Sequence, residues 1–234
     1  MTISPASTSP PPDSHIDHAA AIKYWSSTPA TVSGVLGGYP GLSRTDIQGS
    51  ANFLAKLRRA APGGAKGKLT RAVDCGAGIG RITLGLLGKV AETVDVVEPV
   101  ESFCDVVRKG EEFESFRGTV WEVGLEGWEP EEERYDLIWN QWCLSQLTDK
   151  QLVGYLERSK AWLKEGGWVV VKENLSNDVR GMDVFDETDS SVTRTKEKFE
   201  AVFEQAGLKV LRSELQRGFP KELYPVRMWG LQPV

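Results

Sequence analysis

From residue 69 onward the chain alternates short, mostly apolar runs with longer amphipathic stretches. The runs at Arg71–Cys75, Thr93–Val97, Val120–Val123, Tyr135–Trp139 and Trp168–Lys172 read as strands. The last of these is a continuous apolar run, as in strands covered on both faces in a parallel sheet between helices. Helices are predicted from Glu101, over Asp149–Leu163 with Gly166-Gly167 as its stop, and over Thr195–Gln205. Leu208–Glu214 and Val226–Leu231 are joined by a short loop containing Pro220 and are expected to pair as an antiparallel hairpin. The fold class this pattern predicts is α/β, a doubly wound sheet.

Upstream the pattern changes. Residues 1–14, rich in Ser, Thr and Pro, read as a disordered tail. A short helix is predicted over Ile16–Ser27, ended by Pro29, and a longer one to Ala60, capped by Ser43 and striped by Ile47, Phe53, Leu54 and Leu57. Between them, Gly34–Gly41 is too glycine-rich for a regular element and too apolar for a surface loop, which suggests a lid with Leu36 and Tyr39 facing inward. The linker Pro62-Gly63-Gly64 separates this helical cover, residues 15–62, from the sheet, residues 69–234.

At 234 residues, with a 40% apolar share, the chain has enough material for one sizeable core and reads as one domain. The net charge of -5 argues against a nucleic-acid surface and suits a small or cationic substrate. Cys75, Cys104 and Cys143 show no metal-type spacing, and the two histidines, His15 and His18, lie near the tail. No metal site is therefore expected, and imidazole drops off the list of core catalytic groups. No apolar run is long enough to cross a bilayer, and no signal peptide is recognisable, so the expected location is the cytoplasm, with passive nuclear entry open.

The stretch with the most chemistry is Asp74-Cys75-Gly76-Ala77-Gly78-Ile79-Gly80-Arg81, a strand end running into a glycine loop. A dinucleotide fingerprint needs a small residue where Arg81 stands, and a Walker loop needs Lys-Ser/Thr after its last glycine. Asp74 and Arg81 instead suit a ligand with both an amine and a carboxylate, and S-adenosyl-L-methionine carries both. Glu98, about 20 residues on, falls where an acid reaches ribose hydroxyls.

Ligands in such sheets bind beyond the carboxyl ends of the strands. That brings Asn140-Gln141-Trp142 and Glu173-Asn174 beside the glycine loop, with the acidic Asp186–Ser191 segment further along. On composition alone the acidic segment reads first as a solvated loop. As a pocket rim, the acids with Trp142 and Tyr24 suit an amine acceptor. An α-amine of pKa about 8 is about one-tenth neutral at pH 7, a deficit of roughly 1.4 kcal/mol, so a carboxylate suffices to manage its proton.

Tyr24-Trp25, Leu36-Gly37-Gly38-Tyr39, the 74–81 loop, Asn140-Gln141-Trp142, Leu147-Thr148-Asp149, Lys172-Glu173-Asn174, Asp189-Ser190-Ser191-Val192 and Leu223-Tyr224 closely resemble the protein α-N-terminal methyltransferases. That family methylates the α-amine of proteins beginning X-Pro-Lys. The resemblance implies a class I, Rossmann-like methyltransferase fold with a seven-stranded sheet, an N-terminal helical extension and a β-hairpin over the peptide channel, drawn partly from the segment between Asn177 and Asp186. It implies that Trp25, Gly76, Gly78, Arg81, Glu98, Leu125, Glu126 and Gln141 bind S-adenosyl-L-methionine and its product S-adenosyl-L-homocysteine. It further implies that Tyr24, Leu36, Leu42, Trp142, Glu173, Asn174, Asp186, Asp189, Ser191 and Tyr224 line the peptide channel. Asn174 would hold the first residue, Trp142 would stack on the proline, Asp186 with Ser191 would receive the lysine, and Asp189 would orient or deprotonate the amine. Protein substrates, ribosomal proteins among the candidates, follow as partners.

Four residues depart from the family pattern. Ser145-Gln146 stands where relatives have Gly-His, and Gln146 cannot take a proton at neutral pH. Glu126 replaces Gln, and Glu173 replaces Asp. A small-molecule amine methyltransferase and a cofactor-binding partner protein without catalysis are the rival readings; the 186–191 acids with Asn174 favour a peptide over the former.

Overall fold

The computed structural model describes residues 10–61, 67–130 and 135–234. The predicted linker at 62–64 and most of the predicted tail lie outside them. Five strands run parallel: β1 (Leu69–Cys75), β2 (Ala91–Val97), β3 (Arg117–Trp121), β4 (Tyr135–Gln141) and β5 (Leu163–Asn174). Two short strands, β6 (Val184–Asp186) and β7 (Ser191–Thr193), form a separate hairpin. β8 (Leu208–Leu215) and β9 (Val226–Pro233) pair antiparallel as expected, and β9 also runs antiparallel to β5. The large sheet has the order β3-β2-β1-β4-β5-β9-β8. Chain direction reverses its progress between β1 and β4, so the crevice at their carboxyl ends is where a ligand is expected.

Helices cover both faces. On one side α3 (Leu42–Ala60) buries Phe53, Leu54 and Leu57 against Trp139, Val170 and Met228 of the sheet. On the other, α6 (Asp149–Trp162) and α7 (Lys196–Gln205) pack Tyr155, Leu156, Phe199 and Phe203 around Ile138, Val171 and Trp229. α5 (Glu101–Lys109) covers β2 and β3 through Val107. Between β1 and β2 the chain passes through a π-helical turn, Thr83–Leu87, and one turn of helix, α4 (Gly88–Val90).

Several expectations are corrected. The third strand ends at Trp121 rather than Val123; its half-buried residues give an edge strand little apolar signal. Gly166-Gly167 do not separate helix from strand. α6 ends at Trp162, β5 begins at once, and the glycines sit in a bulge where the register with β4 jumps from Tyr135↔Leu163 to Leu137↔Trp168. α3 starts at Leu42, and its cap, Gly41, makes no side-chain bond; the Ser43 hydroxyl instead faces Arg81. Residues 10–14 are ordered: Pro12–His15 forms a 3-10 turn, and Asp13 accepts a hydrogen bond from the Asp149 N–H that opens α6. The lid holds a one-turn helix, α2 (Val32–Val35), capped by Thr31. The extra hairpin shares only Val184–Asp186 with the segment predicted for it and has its centre at 187–190.

Candidate active site

A cavity of about 600 Å3 opens at the carboxyl ends of β1 and β4. Its floor is the glycine loop. Gly76 takes φ +64, and a Cβ there would overlap the Cys143 side chain, so only glycine allows β1 and the turn after β4 to close together. Gly78 also has positive φ and lies under Val35 of the lid. Asp74 is buried at the strand tip, accepts a 2.6 Å hydrogen bond from Thr83 Oγ1, and is pushed up by burial to about 6. Glu98 follows directly on β2; its two oxygens accept from the Gly78 and Val100 N–H groups, and burial raises it to about 7.

The roof comes from the N-terminal segment. Asp17 caps α1 (His18–Ser27) by accepting from the Ala19 and Ala20 N–H groups. The helix turns Ala21, Ile22 and Trp25 toward the cavity, with Leu36 and Tyr39 following from the lid and Leu42 from the start of α3. Tyr24, expected on the acceptor rim, does not line the cavity. It sits about 100° around the helix from Trp25, and its ring contacts the indole edge-on at 5.1 Å. His18 does line the cavity and contacts Gln151 through Nε2, so the exclusion of imidazole from the site is also corrected.

Strand ends supply the middle of the site. Gln141 donates to both oxygens of buried Asp46, which also pairs with Arg81 Nη1 at 2.6 Å. The Arg81 guanidinium lies 5.6 Å from the centre of the Trp142 ring. Trp142 itself takes φ +56, held there by its N–H bond to the Lys172 carbonyl. Glu173 lines the cavity, and its Oε1 accepts from the Cys143 and Leu144 N–H groups at 2.9 and 2.8 Å. It thereby fixes the turn that presents Trp142, and burial pushes it up to about 7. Asn140, by contrast, points into the core and bonds Tyr155 and the Val170 carbonyl. Leu125 and Glu126 close the cavity on the β2 side.

At the far end stand Asn174, Tyr224 and the β6–β7 hairpin, whose Asp186, Asp189 and Ser191 all line the cavity. Burial raises the Asp189 carboxyl, opposed by a Ser191 hydrogen bond and reinforced by Asp186. Gln146, with its amide turned to satisfy its neighbours, donates to the Asp189 and Ser190 carbonyls at 3.1 and 3.2 Å. It braces the hairpin instead of standing as a proton acceptor. Among the described residues, Asp189 Oδ1 and Trp142 Nε1 are buried without a hydrogen-bond partner, and both belong to side chains on this wall. An unpaired acceptor and an unpaired donor in one cavity fit a polar, amine-bearing ligand. The sequence reading missed Asp46, His18 and Phe219, which also borders the cavity.

The sheet, the glycine loop at its switch point and the amine-and-carboxylate chemistry around it define a class I S-adenosylmethionine-dependent methyltransferase. A solved SAM-dependent methyltransferase from Leishmania major superposes with a TM-score of 0.82 at 35% identity, covering 92% of this chain and 82% of that one. Residues 13–232 match the family described as AdoMet dependent proline di-methyltransferase, and the chain belongs to that family. The alpha N-terminal protein methyltransferase 1 of Schizosaccharomyces pombe is 44% identical over 220 residues, 92% of this chain and 96% of the relative. The N-terminal Xaa-Pro-Lys N-methyltransferase 1-B of Xenopus laevis is 40% identical over 217 residues, 92% and 95% respectively.

Proposed function

We propose that the protein methylates the α-amine of proteins beginning X-Pro-Lys, with S-adenosyl-L-methionine as donor. The observation that carries this reading is the continuity of one cavity from the glycine loop to the acidic hairpin, with Trp142 between them. Arg81, Glu98, Gln141 and the loop backbone would hold the cofactor, which supplies an electrophilic methyl group on a sulfonium centre. Asn174 would fix the first residue of the peptide, and Trp142 would offer a flat apolar surface to its proline. Asp186 and Ser191 would receive the lysine ammonium at the mouth, where a carboxylate keeps most of its hydration.

Asp189 stands deeper than Asp186, and its raised carboxyl suits a group that must hold an ammonium and then share its proton. No imidazole is needed for that task. The α-amine is already neutral in a tenth or so of molecules at pH 7, and a carboxylate beside it suffices to take the proton of the rest. Ribosomal proteins with such N-termini are candidate substrates.

The test is to incubate the protein with S-adenosylmethionine and Ser-Pro-Lys and Pro-Pro-Lys peptides and weigh the products. A gain of methyl masses that disappears when the peptide's α-amine is acetylated supports the reading. No gain on any such peptide, or a gain that survives acetylation, overturns it.

A further inference from the structure

Behind the cavity wall lies a buried charge cluster. Asp46, fully buried on α3, accepts from Arg81, Gln141 and the ammonium of Lys172. Lys172, on β5, is itself fully buried and does not line the cavity. Its Nζ is ringed by the Asp46 carboxylate and carbonyl, Ser50 Oγ at 2.9 Å and Gln216 Oε1 at 2.8 Å. Burial lowers the Lys172 ammonium from its ordinary value and the Asp46 carboxylate opposes that shift; with four oxygens in reach, one of them a hydroxyl, the protonated amine has an acceptor for each of its three hydrogens. Gln216 reaches this position only because Gly49 faces it; a Cβ there would strike its amide.

The charges in direct contact are two cations and one carboxylate, which leaves one net positive charge. Of the two cations only Arg81 reaches the cavity. Without Lys172, the Arg81–Asp46 pair would be neutral as a unit, and with Asp74 beside Arg81 the wall would offer a ligand carboxylate no net positive charge. We infer that Lys172 is a positioning residue for cofactor binding: by taking up the charge of Asp46 it leaves Arg81 free to attract the carboxylate of the cofactor's methionine end. The inference rests on the reading that the glycine loop binds S-adenosylmethionine. It adds that affinity is set in part by a side chain that never touches the cofactor.

S-adenosylhomocysteine, which carries the carboxylate, and methylthioadenosine, which lacks the whole amino-acid end, separate the effect from general damage. In titration calorimetry, Lys172→Gln is expected to bind S-adenosylhomocysteine at least about tenfold more weakly. Its affinity for methylthioadenosine should stay within about twofold, since no contact to the nucleoside is disturbed. The charge-neutral pair Asp46→Asn/Lys172→Gln keeps Arg81 as the one full charge and should bind S-adenosylhomocysteine within about tenfold of the wild type. Both variants are expected to fold: Lys172→Gln leaves the Arg81–Asp46 pair intact, and in the double variant the charge left on Arg81 faces the cavity. Parallel losses for both ligands, or an unchanged S-adenosylhomocysteine affinity in Lys172→Gln, overturn the inference, as does a larger loss in the pair. Failure of the wild type to bind either ligand would instead remove the cofactor reading on which it stands.

Discussion

The backbone N–H of Asp17 donates to Ser190 Oγ at 2.7 Å, so the residue that caps α1 is tied to the turn that carries Asp189. The helix brings Trp25 to the cofactor end of the cavity, and the turn brings Asp189 to the acceptor end. This part-buried bond therefore links the two halves of the site across more than 170 residues of chain.

Ser190→Gly tests this link. Ser190 takes φ +56, which glycine accepts without strain, so the variant removes the hydroxyl and little else. Loss of the bond should cost about 1 kcal/mol and lower Tm by about 2–4 °C for a domain of this size. Amide exchange at Ser191–Thr193 and at the start of α1 should rise together. Faster exchange in only one of them would show that the bond does not couple them.

Asp189→Asn addresses proton handling. The amide keeps the shape but cannot take a proton, so turnover should fall by about 10² or more while S-adenosylhomocysteine affinity holds. Burial raises the Asp189 carboxyl, so the wild-type rate should fall on the acid side at a pH above the ordinary carboxylate range. That limb should vanish from the residual activity of the variant. A limb that persists in kcat/KM profiles assigns it to another group.

The sheet was legible because its central strands are buried and mostly apolar; β1, β2 and β4 each contain the run that predicted them. The glycine loop was legible because φ values near +60° at Gly76 and Gly78 leave a mark in composition. The β6–β7 hairpin left almost none, since three-residue strands of mixed polarity have no measurable period. Asp46 and Lys172 were unreadable for a different reason. Charged residues belong on the surface by default, and only the fold brings α3 and β5 together so that each neutralises the other. The N-terminal strap was hidden by its Ser- and Pro-rich neighbourhood, although Asp13 and Asp17 both serve as acceptors for helix N-termini.

Glu173 offers a stability test. Glu173→Gln keeps an oxygen to accept from Cys143 and Leu144, whereas Glu173→Ala leaves two buried N–H groups unpaired and should cost roughly 2–4 kcal/mol. Burial raises this carboxyl from 4.5 to about 7 in the folded state. The folded protein therefore holds more protons than the unfolded chain between those values, and this group's contribution to stability falls as pH rises through that window. Denaturation midpoints at pH 5 and pH 8 should differ less in Glu173→Gln than in the wild type. An equal difference would mean that the carboxyl is already ionised at pH 5.

Asp74 and Glu98 extend the same reasoning to the ligand. Both line the cavity, and burial raises them to about 6 and about 7, so near pH 6.5 a substantial share of each is protonated before anything binds. The ammonium and sulfonium of S-adenosylmethionine favour the ionised carboxylates and lower both values. The complex then holds fewer protons than the separated partners, so binding releases protons and affinity rises with pH from about 6 to 7 before levelling off. Calorimetry at pH 6.5 in two buffers of different ionisation enthalpy should show net proton release, smaller for S-adenosylhomocysteine, which lacks the sulfonium charge. Glu98→Gln should reduce the release further by removing one of the two titrating groups. Identical enthalpies in the two buffers would show that neither carboxyl changes its protonation on binding, and that the cofactor's charges lie beyond their reach.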